Sequence, residues 1–213
     1  MPILKINIQE RNSIISEIII SFHDHLIIIS SFILAFLLYW TCITPVNSKS
    51  NNNFQEENAI EYVWTLIPIC ILIFTSIPSI LILFIIEENF KTDICLKIQG
   101  NQWYWEYQFI NKNKISFSSY IANSNLIRNI YTSNSIPVPF KTKITIILSS
   151  NDVIHSWSIP SLRLKCDAIP GRINSINIII KKPCILTGQC SEICGINHRF
   201  IPILIKSIKN FNY

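Results

Sequence analysis

Four side chains in this sequence could hold a metal. Cys190, Cys194 and His198 fall in the run Gly188-Gln189-Cys190-Ser191-Glu192-Ile193-Cys194-Gly195-Ile196-Asn197-His198, a C-x3-C-x3-H spacing. His155 lies upstream in Val153-Ile154-His155-Ser156-Trp157. Two thiolates and two imidazoles form a soft donor set that suits copper or zinc. Such a site implies either electron transfer or a domain stapled by its metal. Structural zinc pairs more often use C-x2-C or C-x4-C spacing, so the spacing alone leaves the metal open. The plainer reading is two buried, inert cysteines in a tight turn.

These residues need a scaffold, and the composition says where to look for one. Of 213 residues, 49% are hydrophobic and 15% charged, a balance that leans toward a membrane protein. Two charge-free apolar runs, at about 26–43 and 63–86, are long enough to span a bilayer. Pro68 and Pro78 lie inside the second, where a membrane helix tolerates them. Tyr39, Trp40 and Trp64 lie near the ends of the spans, where aromatic side chains bridge lipid and water. The segment from Pro45 to Glu61, with Asn51-Asn52-Asn53 in its middle, reads as a polar loop. No cleavable leader is expected, because the first long apolar run begins only after Glu17, His23 and Asp24.

From about Glu87 the pattern becomes one of short β-branched and aromatic runs separated by Asn, Ser, Pro and Gly. Strands are predicted at 94–98, 102–109, 143–148, 153–157, 174–180 and 200–205, with a further candidate at 115–120. Cys95, Cys166 and Cys184 also fall in strand-like runs. The expected fold is a two-helix transmembrane hairpin, residues 1–90, followed by an all-β Greek-key barrel, residues 91–213. Seven cysteines is an odd number and argues against a complete disulfide framework. Cys42 and Cys70 lie in the apolar runs and read as packing residues.

The metal-loop run, continued through Arg199-Phe200-Ile201-Pro202, resembles that of subunit II of the haem–copper cytochrome c oxidases. The resemblance extends in order through Phe22-His23-Asp24-His25, Trp64-Thr65-Leu66-Ile67-Pro68, Gly100-Asn101-Gln102-Trp103-Tyr104-Trp105, His155-Ser156-Trp157-Ser158-Ile159-Pro160 and Asp167-Ala168-Ile169-Pro170-Gly171. It implies a cupredoxin-like barrel and a dinuclear copper centre, CuA. The side chains of His155, Cys190, Cys194 and His198 and the carbonyl of Glu192 would be its ligands. It also implies a magnesium site shared with the large subunit through the Glu192 carboxylate, an interface position for Asp167, electron entry at Trp103 and a proton-path entrance at Glu61. His23 and Asp24 are expected to be structural. Strand alternation would turn Trp103 and Trp105 the same way.

The implied role is electron transfer from cytochrome c to haem a in the large subunit of a proton-translocating oxidase. The implied partners are cytochrome c, the other oxidase subunits and lipid, with no nucleic acid. The implied location is the mitochondrial inner membrane, with the C-terminal domain in the intermembrane space. A copper-less quinol oxidase subunit and a membrane-anchored zinc module are the alternatives, and the retained ligands argue against the first.

Two features depart from the family pattern. Ile201 stands where the family carries a methionine axial ligand, and isoleucine has no donor atom. The chain holds one methionine, Met1, while isoleucine makes up nearly a quarter of it. That bias is what results when ATA codons, which many mitochondria read as Met, are written as Ile. The second departure is charge: from Glu87 onward there are about 15 Lys and Arg against about 7 Asp and Glu. A net basic domain is unfavourable for docking a cationic cytochrome c.

Overall fold

The computed structural model of the chain describes residues 10–47, 58–88, 91–110, 115–122 and 129–209. Two compact units emerge, one of residues 18–85 and one of residues 1–17 with 86–213. The first holds most of two 30-residue helices, α1 (Ile14–Ile43) and α2 (Asn58–Glu87). At about 1.5 Å per residue each is about 45 Å long, more than the ~30 Å hydrocarbon core of a bilayer. Both meet the length and composition needed to cross a membrane. Their apolar side chains stay exposed, among them Phe32, Leu38, Leu72 and Phe74. In water this would be untenable; in lipid it costs nothing.

The helices outrun the apolar spans expected from the sequence. His23 and Asp24 lie inside α1 rather than before it, with His23 Nδ1 3.4 Å from Asp24 Oδ1. Hydropathy marks where lipid begins, whereas hydrogen bonding and capping mark where a helix begins. Ser13 supplies the cap: its Oγ accepts from Ser16 N at 2.9 Å and donates to the Leu162 carbonyl at 3.1 Å. Asn58–Glu61, expected as loop, is the first turn of α2. The Asn51-Asn52-Asn53 stretch lies outside the described residues. Pro68 and Pro78 sit within α2 without ending it. Cys42 and Cys70 are exposed on the helices rather than packed.

The second unit is a pair of five-stranded sheets. Its strands are β1 (Ile94–Asn101), β2 (Tyr104–Phe109), β3 (Ser116–Ser119), β4 (Ile136–Pro139), β5 (Lys143–Ser150), β6 (His155–Ile159), β7 (Leu164–Ala168), β8 (Asn174–Ile179), β9 (Cys184–Cys190) and β10 (Pro202–Ile208). One sheet runs β3-β2-β1-β5-β8 and the other β4-β10-β9-β6-β7. The β1–β5 and β4–β10 pairs are parallel and the rest antiparallel.

Alternation places the core. Ile144, Ile146 and Leu148 of β5 face inward with Ile94, Leu96 and Ile98 of β1, and all six are buried. Each buried aliphatic side chain of this kind contributes about 1.5–3 kcal/mol. The expected strands all form, with ends shifted by a few residues. Strands β4, β7 and β9 complete the second sheet. All seven cysteines are free.

Candidate metal centre

Register brings the candidate ligand residues together. β6 is paired with β9 so that Trp157 lies opposite Cys190, the last residue of β9. Beyond that pair the Ser191 amide donates to the Ser156 carbonyl at 2.9 Å. His155, the first residue of β6, therefore stands beside the loop that leaves β9. The Cys190 amide donates to the Ile201 carbonyl at 3.1 Å, closing that loop at its base. Within the loop, short 3-10 bonds run from His198 N to Gly195 O and from Phe200 N to Asn197 O. Gly195 adopts φ +121°, a conformation that other residues reach only with strain.

The ligand atoms of His155, Cys190 and Cys194 all lie within 4.8 Å of one another, and all three residues are buried. The two sulfurs are 4.0 Å apart. His155 Nδ1 is 3.9 Å from Cys190 Sγ, and His198 Nδ1 is 3.5 Å from Cys194 Sγ. The Glu192 carbonyl oxygen is 3.4 Å from Cys190 Sγ. This donor set fits copper: two soft sulfurs side by side, one imidazole nitrogen against each, and a carbonyl at the edge. Ile201 is buried in the core and brings no side-chain donor.

The thiols share the site unequally. Burial raises the Cys190 pKa, but hydrogen bonds from His155 and the backbone outweigh this and bring it down to about 7. Cys194 goes the other way, pushed up to about 12 by burial and by the neighbouring Cys190 charge. Burial pulls His155 down, while Cys190 and Asp152 outweigh it and raise its pKa above the usual value.

Trp103 enters this site from the side. It occupies the turn between β1 and β2, so β2 begins one residue later than strand alternation from Trp103 would need. Trp105 is a fully buried core residue, while Trp103 is half-buried and donates its indole N–H to the Cys194 carbonyl at 3.2 Å. The expectation that both rings point the same way by alternation is therefore unsupported: a turn residue does not follow the pleat. Gln102 donates to the same carbonyl through Nε2 at 2.9 Å.

Two glycines make room for this arrangement. A Cβ on Gly100 would lie 2.8 Å from His155 Cδ2, and one on Gly195 would lie 3.2 Å from Trp103 Nε1. Nothing local in the sequence marks these glycines or Gln102; Asp152 carries one signal, its position three residues before His155. Glu61 stands in the first turn of α2, exposed, in the other unit.

The family models for cytochrome C oxidase subunit II match the chain twice, the periplasmic-domain model over residues 94–208 and the transmembrane-domain model over residues 3–82. The chain belongs to the cytochrome c oxidase subunit II family. Cytochrome c oxidase subunit 2 of Apis mellifera ligustica is 43% identical over 208 residues, spanning 96% of this chain and 92% of the relative. That of Oncopeltus fasciatus is 40% identical over 215 residues, spanning 98% and 94%. The solved periplasmic domain of subunit II of cytochrome oxidase of Bradyrhizobium japonicum superposes with a TM-score of 0.55 at 37% identity, covering 56% of this chain and 87% of that one. Membership makes this chain a subunit of an oxidoreductase complex, with two membrane-spanning helices followed by a cupredoxin-like domain. It favours a cytochrome c oxidase subunit II over the zinc module and the quinol oxidase subunit. The His/Cys cluster is consistent with copper binding.

Proposed function

We propose that this chain takes electrons from cytochrome c and hands them to haem a in the large subunit of a cytochrome c oxidase. The observation that carries this reading is the convergence of His155, Cys190 and Cys194, with His198 against the second sulfur. In this reading Cys190, Cys194, His155 and His198 would hold a pair of copper ions, with the Glu192 carbonyl beside them. Copper so held supplies one-electron chemistry. The chain supplies a short loop on a two-sheet frame that keeps the ligands in place when charge changes.

Trp103 is the port for electrons in this proposal. Its indole N–H reaches the carbonyl of the ligand Cys194, so a partner docked over the ring is one hydrogen bond from the metal loop. The Glu192 carboxylate would hold a magnesium ion shared with the large subunit, since a hard cation takes oxygen ligands. Glu61 marks a proton entrance on the membrane unit. The working division is residues 1–90 as anchor and 91–213 as copper domain, with the latter in the mitochondrial intermembrane space. The partners are cytochrome c, the large subunit, other oxidase subunits and lipid; nucleic acid has no part.

The test is substitution of each thiol. Cys190→Ser and Cys194→Ser should remove the copper signal and normal electron entry, because a hydroxyl is too hard and too weakly acidic to replace a thiolate. Cys42→Ser should retain both. Identical copper spectra from all three variants would sink the assignment.

A further inference from the structure

We infer that Asp152 is a positioning residue that holds His155 and the Trp103 turn in one hydrogen-bonded frame; this rests on the copper reading above. Asp152 sits in the bend between β5 and β6. Its Oδ1 is 2.9 Å from His155 Nε2 and accepts the Val153 amide at 2.6 Å. Its Oδ2 accepts the Gln102 amide at 2.6 Å. The Ser150 hydroxyl adds a contact to Oδ1 at 3.2 Å. One carboxylate therefore grips the imidazole with one oxygen and the β1–β2 turn with the other.

The consequence for the ligand is chemical. A carboxylate oxygen only accepts, so the nitrogen facing it carries the proton, and His155 is the Nε2–H tautomer. Nδ1, which faces Cys190 Sγ, is then the nitrogen whose lone pair a metal would take once any proton it shares with that sulfur has left. The His155 side chain is fully buried and that of Asp152 is 30% exposed, so water cannot take over the bond to His155 from within the core. The neighbouring residue strengthens the frame. Asn151 N donates to the Gly100 carbonyl at 3.1 Å, and Asn151 Nδ2 donates to Asn101 Oδ1 at 2.9 Å.

Gln102 carries the frame onward, since its Nε2 donates to the Cys194 carbonyl beside the Trp103 indole. The chain of contacts His155–Asp152–Gln102–Cys194 thus links a ligand on the β6 strand to a ligand on the metal loop. A carboxylate behind a metal-bound histidine fixes ring orientation and raises ligand basicity, and its loss typically costs about 10–100-fold in metal affinity.

The experiment uses the full-length chain in detergent, loaded with copper, as wild type, Asp152→Asn, Asp152→Ala, Asp152→Glu and Glu106→Gln. Electron paramagnetic resonance and visible absorption report the ligand field, and competition with a Cu(I) chelator reports affinity. Asp152→Asn and Asp152→Ala should alter the hyperfine pattern and weaken copper about 10–100-fold. Asp152→Glu should recover part of both, and Glu106→Gln, a change on the β2 strand away from the ligands, should match wild type. Proton NMR of the wild-type copper-loaded chain needs no variant: it should show an exchange-protected His155 Nε2–H. Wild-type-like spectra and affinity in Asp152→Asn and Asp152→Ala, or a His155 proton on Nδ1, would overturn the inference. Absence of a paired-copper signal from wild type would instead overturn the proposed function itself.

Discussion

At the scale of single residues, the site has two thiols of opposite character. Cys190 titrates at about 7 and Cys194 at about 12. Below pH 7 copper must displace a proton from each thiol; above it, Cys190 is already a thiolate, and the protons left to displace are that of Cys194 and any still on His155, whose pKa is raised. Affinity rises about tenfold per pH unit for each proton released. Chelator competition from pH 6 to 8 should therefore show affinity rising with pH, more steeply below 7 than above; a flat profile contradicts the unequal pair. Ile201 is the other residue-scale question. Its carbonyl closes the base of the loop while its side chain offers no donor. Peptide mass spectrometry across Arg199–Lys206 of the native protein should find methionine at 201, as codon reading predicts. An isoleucine mass would leave a real variant of the centre, lacking one weak axial donor and shifted in potential. The four candidate metal-binding side chains stand out in the sequence because cysteine and histidine at close spacing are rare. Asp152 and Gln102 do not, because a carboxylate and an amide acquire roles only from what the fold sets beside them.

At the scale of elements, register and turn geometry do the positioning. The strands could be read because β-branched and aromatic runs alternate between Asn, Ser, Pro and Gly breaks. Their pairing could not, since nothing local in β6 says that Trp157 will lie opposite Cys190. Trp103 shows the same limit: the pattern places it in a strand, and β2 begins one residue after it. Helix α1 shows it from the other side, running back to a Ser13 cap that hydropathy does not see. Gly100 gives the sharpest test of this level. Its β1 backbone lies against the His155 ring with no room for a methyl group. Gly100→Ala should cost about 1–3 kcal/mol by overpacking and also disturb the copper spectrum, because the atom displaced belongs to a ligand. Urea unfolding and visible absorption of the same sample measure both. An unchanged spectrum with unchanged stability would mean that β1 yields freely and does not hold the ring.

At the scale of the whole molecule, two units with different solvents share one chain. The helices expose apolar side chains along their length, whereas the β unit buries its own between two sheets. Composition announced the first, and motif order announced the family. Charge sets the third property. A β domain with a net excess of Lys and Arg gives weak long-range attraction for a cationic cytochrome c. Oxidation rates should accordingly change only a few-fold between low and physiological salt; a steep fall would mean that a local acidic patch or another subunit does the steering. The central claim is that Cys190, Cys194, His155 and His198 hold a pair of copper ions that share one electron. Metal analysis joined to electron paramagnetic resonance of the purified oxidised protein tests it most directly. The account predicts two copper ions per chain at this site, intense visible absorption, and hyperfine structure from one unpaired electron spread over both nuclei. Zinc in a colourless protein, or the pattern of a single isolated copper, would contradict it.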